Sequence, residues 1–168
     1  MIKSPVIDVY AQMFKVKSTE CDDNIKINLM FENGASALVQ VDTWCFLPQA
    51  LWHITGSEAT MVIQDWDCNG KILKSKPDAE LEWTENIIYT AMGPTRTMAP
   101  RSPKTVEEIP LPDVGEKSDW VAYYRNYLAA LDGKEELIVK PEQSLRVMKV
   151  IDAAFKSWEE GRSVKGPF

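Results

Sequence analysis

Two runs of alternating hydropathy, joined at Asn33-Gly34, constrain this chain more than any other feature of its sequence. From Val6 to Lys17 the residues Ile7, Val9, Ala11 and Met13 alternate with Asp8, Tyr10, Gln12 and Phe14. This is the two-residue period of a strand with unlike faces. After the polar "STECDDN", Ile25, Ile27, Leu29 and Phe31 alternate in the same way with Lys26, Asn28, Met30 and Glu32. Asn33 and Gly34 both tolerate positive φ, which predicts a two-residue hairpin and a partner strand over Ala35 to Trp44. "ALWHIT" and "ATMVIQD" predict a second hairpin across Gly56-Ser57-Glu58, and Asn69-Gly70 a third turn before "KILKS". Consecutive hairpins give an antiparallel meander.

The remainder changes period. Between Ser75 and Lys117 the pieces "LEW", "IIYTA" and "TVEEI" are separated by prolines, and "GPTRTMAPRSPK" reads as a mobile loop at the sheet margin. Ser118 is placed as the N-cap of "DWVAYYRNYLAAL", whose Trp120, Val121, Tyr124, Tyr127, Leu128 and Leu131 share a helical stripe ended by Gly133. Pro141 opens a second helix to about Glu160, with Leu145, Met148, Ile151, Phe155 and Trp158 expected on its buried face and Gly161 as a left-handed stop. Strands first and helices last predict an α+β fold: a largely antiparallel sheet, two C-terminal helices on one face, the other face open. A chain of 168 residues fits one domain over 1–168.

Several function classes are disfavoured by totals. With 19 basic against 25 acidic residues, the net charge is −6, so no basic stripe is available for nucleic acid. Cys21, Cys45 and Cys68 are odd in number and lack C-x-x-C spacing, which indicates neither a disulfide framework nor a zinc site. No run approaches 18 apolar residues and the start lacks the pattern of a signal peptide, so no membrane partner is expected and the expected location is cytoplasmic.

The open face of the sheet carries Tyr10, Phe14, Asn28, Met30, Leu38, Gln40 and Trp44. Aromatic and long apolar side chains among scattered polar groups form the composition of a protein interface, so self-association through this face is expected. The alternative is a half-exposed sheet with surface aromatics. A catalytic constellation is harder to find. His53 is the single histidine, in a predicted strand without a second imidazole or an adjacent nucleophile. No two glycines stand two apart, so neither G-x-G-x-x-G nor a phosphate loop is present. Asp22-Asp23 and Glu107-Glu108 read as solvated turn and edge acids, and no catalytic or metal-ligating set emerges. Arg96, Arg101 and Lys104 could receive a phosphate or carboxylate, or could be ordinary surface charge.

The order of elements, with "YRNYLAALDGKEELIVKPEQSLRVMKVIDAAFKSWEEGRSV", resembles the C-terminal half of the glucose-fructose oxidoreductase, inositol dehydrogenase and MocA family. The resembling features are the aromatic helix to Gly133, the extended Leu137 to Val139, Pro141-Glu142, and Ser157, Glu159, Gly161, Arg162 and Val164. "GSEAT" at 56 to 60 is similar to a family turn, with Ala59 replacing a glycine. The resemblance implies a substrate-binding and oligomerisation domain of an oxidoreductase acting on a sugar, cyclitol or related polyol. NAD or NADP would be held by an N-terminal Rossmann domain, expected to be absent here together with the catalytic lysine motif and Asp-x-x-x-His helix. No cofactor site is expected in this chain, which alone should be inactive. His53 does not match the family's catalytic histidine, since Gln49 stands where the aspartate is needed. His53, Arg96 and Arg101 remain candidates for substrate contact. Two other readings stay open: a free-standing β-sheet interaction module, and an independent enzyme using His53 and the arginine segment.

Overall fold

The computed structural model describes residues 2–77, 85–98, 103–113 and 120–168 of this α+β protein. Its contacts divide into two compact units, Met1–Phe46 with Lys117–Phe168, and Leu47–Glu116.

In the first unit, β1 (Val6–Phe14), β2 (Asn24–Phe31) and β3 (Ser36–Asp42) form an antiparallel meander, and β10 (Val164–Lys165) adds to the outer side of β1, giving the order β10-β1-β2-β3. The rows Val9–Leu29–Ala37, Ala11–Ile27–Val39 and Met13–Ile25–Val41 line one face, as the alternation predicts. A β-bulge between Val6 and Asp8 corrects the placement of Ile7. The extra residue shifts the alternation, so Val6 enters the core while Ile7 is 38% exposed. The β2–β3 turn also differs from the expected two-residue loop. Gly34, at φ +84°, donates to the Phe31 carbonyl while the Phe31 N–H donates to Ala35. Glu32, Asn33 and Gly34 thus form a three-residue loop with glycine in the left-handed position.

The helix α2 (Pro141–Glu160) packs on β1, and its contact face is another correction. Ala153, Ala154 and Ser157 are buried, with Val150 beside them, whereas Leu145, Met148, Ile151, Phe155 and Trp158 are partly or largely exposed. Small residues let the helix backbone approach the sheet closely. The Ser157 Oγ then accepts the N–H of Ala11 at 3.0 Å. β10 reaches only Asp8 and Val9, so this side chain satisfies a buried donor that the short edge strand leaves over. Gly161 ends the helix at φ +63°, with its N–H directed to Trp158 and that of Arg162 to Ser157. This is the paired arrangement expected of a glycine stop.

The shorter helix α1 (Trp120–Leu131) is tied to the segment that leads into α2 through the buried Asn126. Its amide donates to Glu135 Oε2 and the Glu136 carbonyl, each at 2.9 Å, and accepts the N–H of Ile138 at 3.0 Å. Tyr124, Leu128 and Leu131 are exposed, and Ser118 lies outside the described residues.

The second unit holds β4 (Trp52–Thr55), β5 (Ala59–Ile63), β6 (Gly70–Ser75) and β9 (Val106–Ile109) in that order, all antiparallel, and a separate hairpin of β7 (Glu85–Thr90) and β8 (Gly93–Met98). The β4–β5 turn falls at Gly56-Ser57-Glu58 as predicted. Before β6, the Asp65 carboxylate accepts the N–H groups of Asp67 and Asn69. Gly70 follows where a Cβ would lie 2.0 Å from the Val62 carbonyl oxygen, a close approach that only glycine permits. Residues Gly93–Met98 overturn the expectation of a loop there. Thr95 and Thr97 favour extension, and Pro94 sits next to the tight turn, opposite Tyr89, where its missing donor is tolerated. "LEW" lies outside the described residues.

Candidate functional site

The open face of the first sheet gathers most of the residues expected to form an interface. Asp8–Met30–Ser36, Tyr10–Asn28–Leu38, Gln12–Lys26–Gln40 and Phe14–Asn24–Asp42 are successive rows across β1, β2 and β3. Paired residues on neighbouring strands share a face, so Tyr10, Asn28, Met30, Leu38 and Gln40 form one contiguous patch. Leu38 is 60% exposed, and Met30 and Tyr10 are also exposed. Phe14 stands at the end of this patch and makes an edge-on contact with Trp158 of α2, centroids 5.4 Å apart. Trp44 lies beyond the end of β3, packed edge-on to Phe46 with the Lys17 ammonium 5.3 Å from its ring centroid.

Charge is fixed at two margins of this face. Lys165 of β10 is ion-paired with Asp8, and this hydrogen bond is the main cause holding the Asp8 carboxyl below its ordinary range against partial desolvation. At the opposite end, Asp23 accepts the N–H groups of Ser18, Val16 and Lys17 at 2.7, 2.6 and 2.8 Å. These donors hold its carboxyl below the usual range, Ser18 contributing most. Asp23 thereby ties down the β1–β2 connection. Acidic pairs in turns read as solvated from sequence; three donors converging on one carboxylate leave no periodic signature.

In the second unit His53 is opposite Val62, itself opposite Lys71. The same face carries Thr55, Thr60, Leu73 and Glu108, and Lys71 is 3.4 Å from Glu108. The other face is apolar, with Trp52, Ile54, Met61, Ile63, Ile72 and Ile109. His53 therefore belongs to an exposed polar surface able to donate and accept hydrogen bonds. Arg96 is exposed on β8, in the separate hairpin, and Arg101 lies outside the described residues. His53 and Arg96 thus stand in different sheets of the second unit.

Among the described residues, no group of three or more His, Cys, Asp or Glu side chains could hold a metal ion. No described helix is long and apolar enough to cross a membrane. The sheets are antiparallel and contain no strand, glycine loop and helix unit at whose helix start a pyrophosphate could sit.

Residues 3–165 match the family model described as oxidoreductase family, C-terminal alpha/beta domain. No curated protein matches the chain. Among solved structures, an NAD-binding protein from Listeria innocua is 32% identical with a TM-score of 0.84, the match covering 98% of this chain and 47% of that one. The WlbA dehydrogenase from Bordetella pertussis, in complex with NADH and UDP-GlcNAcA, is 19% identical with a TM-score of 0.60, covering 98% and 41%. An oxidoreductase from Agrobacterium radiobacter, in complex with NAD+, L-tartaric acid and magnesium, is 18% identical with a TM-score of 0.56, covering 96% and 43%. The chain spans less than half the length of each of these proteins.

Proposed function

Since the chain belongs to the glucose-fructose oxidoreductase, inositol dehydrogenase and MocA family, as its C-terminal alpha/beta domain, we propose that it is the substrate-side and oligomer-forming half of an NAD(P)-dependent oxidoreductase. The match over residues 3–165 carries this reading. The proposed substrate is a sugar, cyclitol or related polyol. In its support, UDP-GlcNAcA and L-tartaric acid in two structures of the same fold are hydroxyl-bearing acids. His53, Thr55, Thr60 and Lys71 supply hydrogen-bonding groups suited to hydroxyls, and Arg96, with Arg101, is proposed to meet an anionic group.

The division of labour follows from chemistry. Hydride transfer requires a nicotinamide held against the reacting carbon, and proton removal requires a base within hydrogen-bond reach of the hydroxyl. The nicotinamide is proposed to be held by a partner Rossmann half, while this chain orients substrate and joins copies through its open sheet face, in the cytoplasm. The Tyr10–Asn28–Leu38 row and its neighbours support that second role, because they form an apolar and polar mosaic on one face of the sheet.

Calorimetric titration of this chain with NAD and NADP tests the assignment. Neither dinucleotide should bind at micromolar concentration. Joining the chain behind the NAD-binding half of the Listeria innocua protein should give dinucleotide reduction that depends on an added polyol. Micromolar binding by this chain alone would overturn the division of labour.

A further inference from the structure

We infer that the outer edge of β3 pairs antiparallel with the same edge of a second copy, centred on Val39, and so continues the sheet of the first unit from one chain into the next. The Phe31 N–H donates to the Ala35 carbonyl and the Thr43 N–H to the Asp23 carbonyl, so the bonded pairs of the β2–β3 ladder are those of Ala35, Ala37, Val39, Val41 and Thr43. The alternate residues Ser36, Leu38, Gln40 and Asp42 aim their N–H and C=O groups away from β2, where the strand order ends. No described strand takes these groups up. The edge also lacks the devices that ordinarily block such pairing. Over the seven residues Ser36–Asp42 there is no proline and no lysine, and the register with β2 runs without a bulge. Both faces beside it are uncovered. Because α2 packs on β1, Val39 and Val41 on the helix side remain 45% and 51% exposed, and Leu38 on the other side is exposed as well.

A second copy fits this edge in one particular register. Each outward residue must meet an outward residue, and centring the two strands on Val39 sets Ser36 against Asp42 of the second copy and Leu38 against its Gln40. Every outward N–H and C=O of β3 then gains a partner. On the helix side Val39 faces Val39 and Ala37 faces Val41, which gives one apolar row across the join. The single charge of the strand, Asp42, falls opposite the Ser36 hydroxyl and not opposite another carboxylate. A foreign extended peptide is a poorer occupant. Strand addition draws its specificity from pockets for alternate side chains of the guest, whereas Leu38, Val39 and Val41 project from this edge and are covered by an identical one. The contact lies along the edge, so it stands or falls apart from the open-face association proposed above.

Cysteine cross-linking reads the register directly. In a chain whose exposed Cys21, Cys45 and Cys68 are replaced by Ser, one cysteine is introduced as Val39→Cys or Val41→Cys, and linked dimer is followed on a non-reducing gel during mild oxidation with diamide. The central pair is of the non-hydrogen-bonded kind, with Cα atoms about 4.5 Å apart, within the span of a disulfide. The two copies of residue 41 stand roughly 13 Å apart along the strands, beyond that span. Val39→Cys should therefore link at least about tenfold faster than Val41→Cys, and Ala37→Cys mixed with Val41→Cys should link across the two variants while neither links alone. Gln40→Pro removes an outward donor without touching the β2 ladder, and should slow the Val39→Cys link at least about tenfold in a chain still folded by circular dichroism. Lysine at Leu38 would block this edge as well as the open face, so Met30→Lys alone separates the two contacts, and the Val39→Cys link should persist in it. Equal rates at positions 39 and 41 would overturn the inference. So would a Val39→Cys chain that does not link, the outcome expected if a foreign peptide or nothing occupies the edge, and so would loss of the link in Met30→Lys, which would trace the encounter to the open face.

Discussion

Replacing Ser157 with Ala should loosen α2 from β1 out of proportion to the one atom removed. Ser157 is fully buried, and its Oγ receives the Ala11 N–H at 3.0 Å. The substitution leaves that donor without a partner in a site closed to water, costing about 1–3 kcal/mol. Alanine is the better helix former by about 0.5 kcal/mol, which offsets part of the loss. The net expectation is a destabilisation of about 0.5–2.5 kcal/mol, or a melting temperature lower by about 1–10 °C for a chain of this size. Urea denaturation gives the free energy, and amide exchange at Ala11 gives the local cause. Ala11 should lose protection while Ile27, on the neighbouring strand, changes less. Unchanged stability together with an Ala11 amide that stays protected would refute the idea that this hydroxyl locks the helix to the strand.

Gly70→Ala should break the β5–β6 pairing, because its Cβ would fall 2.0 Å from the Val62 carbonyl oxygen and the backbone must move; calorimetry should show a loss of about 2–4 kcal/mol. Asp23→Ala should destabilise the chain at neutral pH, with a difference from wild type that shrinks in acid. The folded Asp23 carboxyl is held below its unfolded value by the N–H groups of Ser18, Val16 and Lys17. Its contribution is therefore fully present above the unfolded value and lost as pH falls through the folded one. Denaturation midpoints measured between pH 7 and pH 2 check this; a constant difference would count against it. Arg96→Ala in the joined oxidoreductase should raise KM for an anionic substrate several-fold while leaving the stability of this chain within about 0.5 kcal/mol, consistent with an exposed side chain.

The parts of this structure legible in the sequence are those governed by a repeating period. The alternation of Val9, Ala11 and Met13 with Tyr10, Gln12 and Phe14 places the two faces of the sheet correctly, and the glycine after Glu160 ends α2 as expected. What was missed depends on single exceptions to the period. One extra residue at the Val6–Asp8 bulge moved Ile7 off the core face. Large apolar residues mark buried surface in general and so point to the wrong side of α2, whereas close packing on β1 selects Ala153, Ala154 and Ser157. The segment Gly93–Met98 looked irregular because it contains glycine and proline, yet pairing with β7 overrides that local preference. His53 and Arg96 show a further limit. Their residue types suggest substrate contact, but their placement on separate sheets is a tertiary fact without a local signal.

Self-association through the open sheet face is the most direct test of the proposed role. Met30→Lys with Leu38→Lys puts two charges into adjacent rows of the patch. Both side chains are already solvent-exposed in the single chain, so circular dichroism should still report a folded chain, while the melting temperature should fall to a concentration-independent value as the stabilisation from association is lost. At a self-associating face the same charges would be buried without partners, at a cost of about 2–4 kcal/mol each, or a weakening of about a thousandfold or more. Light scattering with size exclusion should give a mass that is a multiple of 19.0 kDa for the wild-type chain and the single-chain mass for the double variant. A folded double variant with the same mass as wild type would contradict the assignment of this face.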